Sequence, residues 1–90
     1  MPYGIHVDIS FRKEDAERFI SITRRYDFEI DIRSGRHVVD AKSLAGIMSL
    51  NLNNPLKAEI YSFDSSEYSA LVRELKEFNN KIKSVHKTIQ

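Results

Sequence analysis

Hydrophobic and polar residues alternate strictly in the stretch GIHVDIS near the start of the chain. Ile5, Val7 and Ile9 fall on one side and His6, Asp8 and Ser10 on the other, the period of a half-buried strand. From Lys13 the period lengthens. Ala16, Phe19, Ile20, Thr23 and Tyr26 recur at three- and four-residue spacing, with Glu17, Arg18, Ser21 and Arg24 opposite, which predicts an amphipathic helix. DFEIDIRSGRHVVDA alternates again through Phe28, Ile30 and Ile32, turns at Ser34-Gly35 and returns through Val39 and Ala41 as a β-hairpin. Ser43 is placed to cap a short helix carrying Leu44, Ile47 and Met48, which Asn51, Asn53, Asn54 and Pro55 stop. Leu56, Ala58 and Ile60 mark a fourth strand. Asp64, three residues before Glu67, then opens a final helix with a capping-box arrangement and the stripe Tyr68, Leu71, Val72, Leu75 and Phe78.

The predicted order is βαββαβα. One face of each strand is polar, so the expected architecture is α+β: a four-stranded, mainly antiparallel sheet with three helices on one face and the other face wet. No linker, repeat or low-complexity tract interrupts residues 1–90, which read as one domain. Phe78, Ile82, Val85 and Ile89 continue the apolar stripe at heptad-like spacing, so residues 81–90 are expected to form a helical extension or tail. Such a seam gives the chain the options of monomer or weak homodimer.

Composition narrows the function. There is no cysteine, which excludes disulfides and thiolate metal sites and fits a reducing compartment. No apolar run approaches the roughly 18 residues of a membrane span, and the N-terminal stretch has no signal-peptide core, so a cytoplasmic protein without membrane contact is expected. Fourteen basic and 13 acidic residues leave a net charge of +1, a balance that argues against nucleic acid as partner. No phosphate-binding loop, dinucleotide fingerprint, metal-ligand cluster or nucleophile-base pair appears, so neither enzymatic chemistry nor a cofactor or metal is expected.

Residues 26–62 resemble HPr, the histidine phosphocarrier of the bacterial phosphoenolpyruvate-dependent sugar phosphotransferase system. The most specific part is AKSLAGIMSLNL, which is similar to the family's pattern around its regulatory serine, and the likeness extends more loosely through the last helix. The resemblance implies an HPr-like open-faced β-sandwich. It also implies G-[LI]-H-x-R-P-[AS] where the first strand meets the first helix, with the histidine phosphorylated beside the helix N-terminus. Counting back along the helix face, the histidine position falls at Arg12, the arginine at Glu14 and the proline at Asp15, and the loop is shorter than the family's. A guanidinium has no lone pair to attack phosphorus, and Glu14 and Asp15 set negative charge where phosphate would lie. The chain therefore reads as a degenerate family member without its phosphoacceptor.

Two further sites follow from the resemblance. Ser43 matches the serine that a kinase phosphorylates in some HPr proteins, although a carboxylate at Glu14 disfavours a phosphate nearby. Leu44, Ala45 and Met48 match the second-helix surface that docks partner proteins, with Ile47, Leu50 and Leu52 inward. The function expected is a protein-interaction or regulatory module related to the phosphotransferase system, acting through other proteins. The alternatives are a genuine phosphocarrier using a displaced histidine such as His6, or an unrelated ligand-binding module on the same scaffold. His6, His37 and His86 read as exposed side chains that do not converge, and Asp8, Glu29, Asp31, Arg33, Lys57 and Glu59 as a solvated sheet face.

Overall fold

The first alternating stretch forms β1 (Tyr3–Ile9), and its Ile5, Val7 and Ile9 are all buried. The computed structural model describes residues 3–78 and 85–89 of the chain. After β1 the backbone makes a 3-10 turn over Lys13–Asp15 before α1 (Ala16–Thr23), so the predicted helix is shorter at its start than the periodicity implied. Its inward face is Ala16, Phe19, Ile20, Ile22 and Thr23. The hairpin follows as β2 (Glu29–Ser34) and β3 (His37–Asp40). Gly35 sits at φ 61° in the two-residue connection, a left-handed conformation that a side chain would strain.

Then come α2 (Leu44–Met48), β4 (Leu56–Tyr61) and α3 (Ser65–Leu75), the last continued by a 3-10 turn over Lys76–Phe78. The Asp64 carboxylate accepts the Ser66 and Glu67 backbone N–H groups at the start of α3, while the Asp64 N–H donates to Ser62 Oγ at 3.1 Å. The strands line up antiparallel in the order β3-β2-β4-β1, the four-stranded sheet expected, and the buried faces of the helices join its inner residues in one core.

One element departs from expectation. Val85–Ile89 is a fifth strand, β5, paired antiparallel to the outer edge of β1 with Val7 opposite Val85 and Tyr3 opposite Ile89. For Val85–Ile89 the expected helical extension is thus corrected to a strand. Three of these five residues are β-branched, which suits a strand better than a helix, and pairing satisfies the row of N–H and C=O groups that β1 would otherwise present. Phe78, the first residue of the expected seam, is buried in the core instead. Ile82 lies outside the described residues.

Candidate functional site

At the junction of β1 and α1, where the chemistry was sought, the chain is pinned from beneath. Phe11 is buried, stacked on Phe19 with ring centroids 4.7 Å apart, and both rings meet Phe78 edge-on at 5.8 and 5.3 Å. The Ser10 N–H donates to the Phe78 carbonyl at 3.2 Å. Arg12 then turns outward in extended backbone. The Asp15 carboxylate accepts the Arg12 N–H at 3.3 Å, and the Asp15 N–H donates back to the Arg12 carbonyl at 2.9 Å. An anion of the chain's own therefore sits on the first turn, where the amide dipoles favour negative charge. A groove of about 620 Å³ separates Arg12, Lys13 and Glu14 from residues 50–53. Its charged side chains are two cations and one carboxylate. No histidine is among the described residues that line it. Phe11 keeps the parity of Ile5, Val7 and Ile9 but was missed in the sequence because it lies past the end of β1 and precedes four consecutive charged residues.

The second region is α2. The Ser43 hydroxyl accepts the Gly46 N–H at 3.1 Å, the cap expected of it. A Cβ at Gly46 would lie 3.1 Å from the Val39 Cβ, a tight contact that the glycine avoids, so α2 lies close over β3. The approach to Ser43 is clamped by α1. Thr23 Oγ1 donates to the Ala41 carbonyl at 2.9 Å, Arg24 Nε donates to the Lys42 carbonyl at 3.0 Å, and Lys42 Nζ reaches the Tyr26 carbonyl. So held, α2 buries Ile47 completely and leaves Leu44 36% and Met48 41% exposed, with Ala45 exposed beside them. A shallow cleft runs from Leu44 to Ile20 and Arg24 of α1.

The open face of the sheet is more structured than a solvated surface. Glu59 is only 4% exposed. Arg33 grips it with both arms of the guanidinium, at 2.7 Å from Nε and 3.4 Å from a terminal nitrogen, and the Tyr61 hydroxyl donates to it at 3.2 Å. Burial pushes the Glu59 carboxyl up, but these bonds and the charges of Arg33 and His6 outweigh burial and hold it below its ordinary range. Asp31 is raised, first by burial and then by Glu29, Glu59 and Asp40. The separation of the histidines also needs correction. His37 stands in the exposed hairpin, but β5 brings His86 into register opposite His6, whose Nε2 lies 4.0 Å from a Glu59 oxygen.

Burial, reinforced by the charge of Glu59 and its hydrogen bond, lifts the Tyr61 phenol to about 12. Burial and the hydrogen bond to Glu74 lift Tyr26 equally, to about 12. Both groups bind their proton more tightly folded than unfolded. Their contribution to stability is therefore complete below the ordinary tyrosine value of about 10 and is lost as pH rises toward 12. An alkaline titration followed by phenolate absorbance is expected to show Tyr26 and Tyr61 ionising late, and Tyr61→Phe to remove one late-ionising phenol. Ionisation of all four near 10 with the fold intact would contradict this environment.

Among the described residues, no group of three or more His, Cys, Asp or Glu side chains converges on a metal position, and no helix is long and apolar enough to cross a membrane. Residues 4–81 match the protein family described as PTS HPr component phosphorylation site. The fold is similar to the crystal structure of a phosphocarrier protein HPr from Bacillus anthracis str. Ames, with a TM-score of 0.59 and 25% sequence identity over 80% of this chain and 94% of that one. No curated protein matches the chain.

Proposed function

Because this chain belongs to the HPr family, we propose that it works as a protein-interaction and regulatory module related to the sugar phosphotransferase system, without carrying a phosphoryl group itself. The observation that supports this most is Arg12. It stands at the junction of strand and helix that the family uses for its phosphoacceptor, on a loop fixed by the burial of Phe11. A guanidinium offers no lone pair to attack phosphorus. The Asp15 carboxylate on the Arg12 N–H further opposes an incoming phosphate at that turn.

The partner surface is α2. Leu44, Ala45 and Met48 give an exposed apolar patch on a helix whose other face is locked into the core by Ile47. Methionine adapts its shape to different partners, which suits a docking surface. Ser43, at the end of this patch, is the candidate for regulation. Its hydroxyl already serves as the cap, and a phosphate there would add charge beside the docking residues.

The test is incubation with enzyme I and labelled phosphoenolpyruvate. No acid-labile label is expected on the protein. Label on His6, His37 or His86 would instead establish a phosphocarrier with a displaced histidine.

A further inference from the structure

The strand order ends at β3, which has β2 as its neighbour on one side only. The Ala41 N–H donates to the Ile30 carbonyl at 2.8 Å, which makes Ile30 and Ala41 a hydrogen-bonded pair. Bonded and non-bonded pairs alternate along antiparallel strands, so Val39 and His37 also bond to β2. The backbone groups of Val38 and Asp40 therefore point the other way, out of the edge of the sheet. Among the described residues, the Asp40 carbonyl accepts the Ser43 N–H at 3.0 Å, while no strand lies beside the Val38 N–H, the Val38 carbonyl or the Asp40 N–H.

We propose that the β3 edge is a docking site for an extended peptide segment of a partner protein that carries a basic residue opposite Asp40. The proposal goes beyond the docking role of α2 and does not depend on it. A peptide laid antiparallel on an exposed edge gains main-chain hydrogen bonds, and its alternate side chains supply specificity. Exposed edges are commonly guarded by lysine, proline or a bulge. β3 has none of these, and its Val38 stands 41% exposed.

Charge selects this occupant. Register extends the row of Asp40 across the open face to Asp31 and Glu59. Arg33 is engaged by Glu59 and Lys57 by Asp8 at 3.9 Å, and among the described residues neither Asp31 nor Asp40 has an ion pair of its own. A residue opposite Asp40 on an added strand continues this row, where a lysine or arginine is attracted across the strands. The Asp40 carboxylate is already held in place, since it accepts the Lys42 N–H at 2.8 Å. Two positions along the same peptide, an apolar side chain faces Val38. A second copy of the chain fits less well. Two β3 strands paired antiparallel about Val38 would set Asp40 opposite Arg36 of the other copy, and Arg36 lies in the hairpin turn, outside the strand. A four-residue edge also falls short of the roughly 1,200 Å² that a stable protein–protein interface buries.

The test is an NMR titration of the full chain with the blocked pentapeptide Thr-Lys-Thr-Val-Thr, whose lysine and valine are placed to pair with Asp40 and Val38. The amide signals of Val38 and Asp40 are expected to shift together and to exchange more slowly with added peptide. Binding is expected to weaken about tenfold in Val38→Pro, which removes an outward N–H and no bond to β2. The same loss is expected when the valine of the peptide is N-methylated. Asp40→Asn keeps an oxygen for the Lys42 N–H and removes the charge, so binding should fall about two- to fivefold. A peptide with glutamate in place of lysine is expected to bind more weakly still. No shift at Val38 and Asp40, binding that survives both Val38→Pro and N-methylation, or equal binding of the glutamate peptide overturns the proposal. Self-association of the unmutated chain in sedimentation, abolished by Val38→Pro, would assign the edge to a second copy and also overturn it. If Val38→Pro fails to fold, the N-methylated peptide on the unmutated chain decides.

Discussion

Replacing Phe19 by alanine is expected to lower the free energy of unfolding by about 3–5 kcal/mol, a large share of the total for a domain of this size. Phe19 is completely buried and is the ring that Phe11 and Phe78 both touch. Its removal takes away the transfer energy of a large apolar side chain and leaves a void that three separate elements border. Phe11→Ala is expected to cost less, since Phe11 lies at the edge of the cluster on a connecting segment that can partly close the gap. It should also loosen residues 10–12, seen as faster amide exchange at Arg12. Urea unfolding of the three proteins provides the comparison. A loss under about 1 kcal/mol for Phe19→Ala would mean that the three rings do not pack as described.

Much of this fold is legible in the sequence because its signals are local. The alternation of Ile5, Val7 and Ile9 in β1 and of Leu56, Ala58 and Ile60 in β4 states which face is buried, and the structure agrees at every one of these positions. Ser43 and Asp64 announce their helices as caps, and both accept backbone N–H groups at the start of those helices. The residues that escaped are those whose environment is built by distant segments. Phe11 is buried because Phe19 and Phe78 arrive above it, not because of its neighbours in sequence.

Glu59 sits on the polar side of β4 and has the pattern of a solvated residue. Its burial comes from a side chain on β2 and from Tyr61 two residues along its own strand. The end of the chain is the clearest case. The spacing of Phe78, Ile82, Val85 and Ile89 suits a helical stripe, while VHKTI taken alone is rich in β-branched residues. What decides is the outer edge of β1, about eighty residues earlier, and no local window contains it. The same distance explains why His6 and His86 read as unrelated in the sequence yet stand opposite in register.

Ile47→Ala and Leu44→Glu are expected to have opposite effects, although the two residues are three apart on the same short helix. Ile47 has no exposed surface and packs into the core beneath α2, so its truncation should cost about 2–5 kcal/mol and lower the thermal midpoint. α2 has only five residues and little helical stability of its own, so its position depends on this one side chain, on the Ser43 cap and on the contacts from α1. Leu44 is 36% exposed, and a carboxylate there stays in water and sits in the first turn of the helix, where negative charge is tolerated. Leu44→Glu should therefore leave the thermal midpoint nearly unchanged. It should abolish or weaken docking of any partner that covers the Leu44–Met48 patch, because a buried unpaired charge at an interface is costly. Thermal unfolding of both variants, with capture of partners from a native-host lysate by each, separates the two roles. Leu44→Glu destabilising the fold while Ile47→Ala does not would reverse the two faces of α2 and remove the basis for placing the docking surface there.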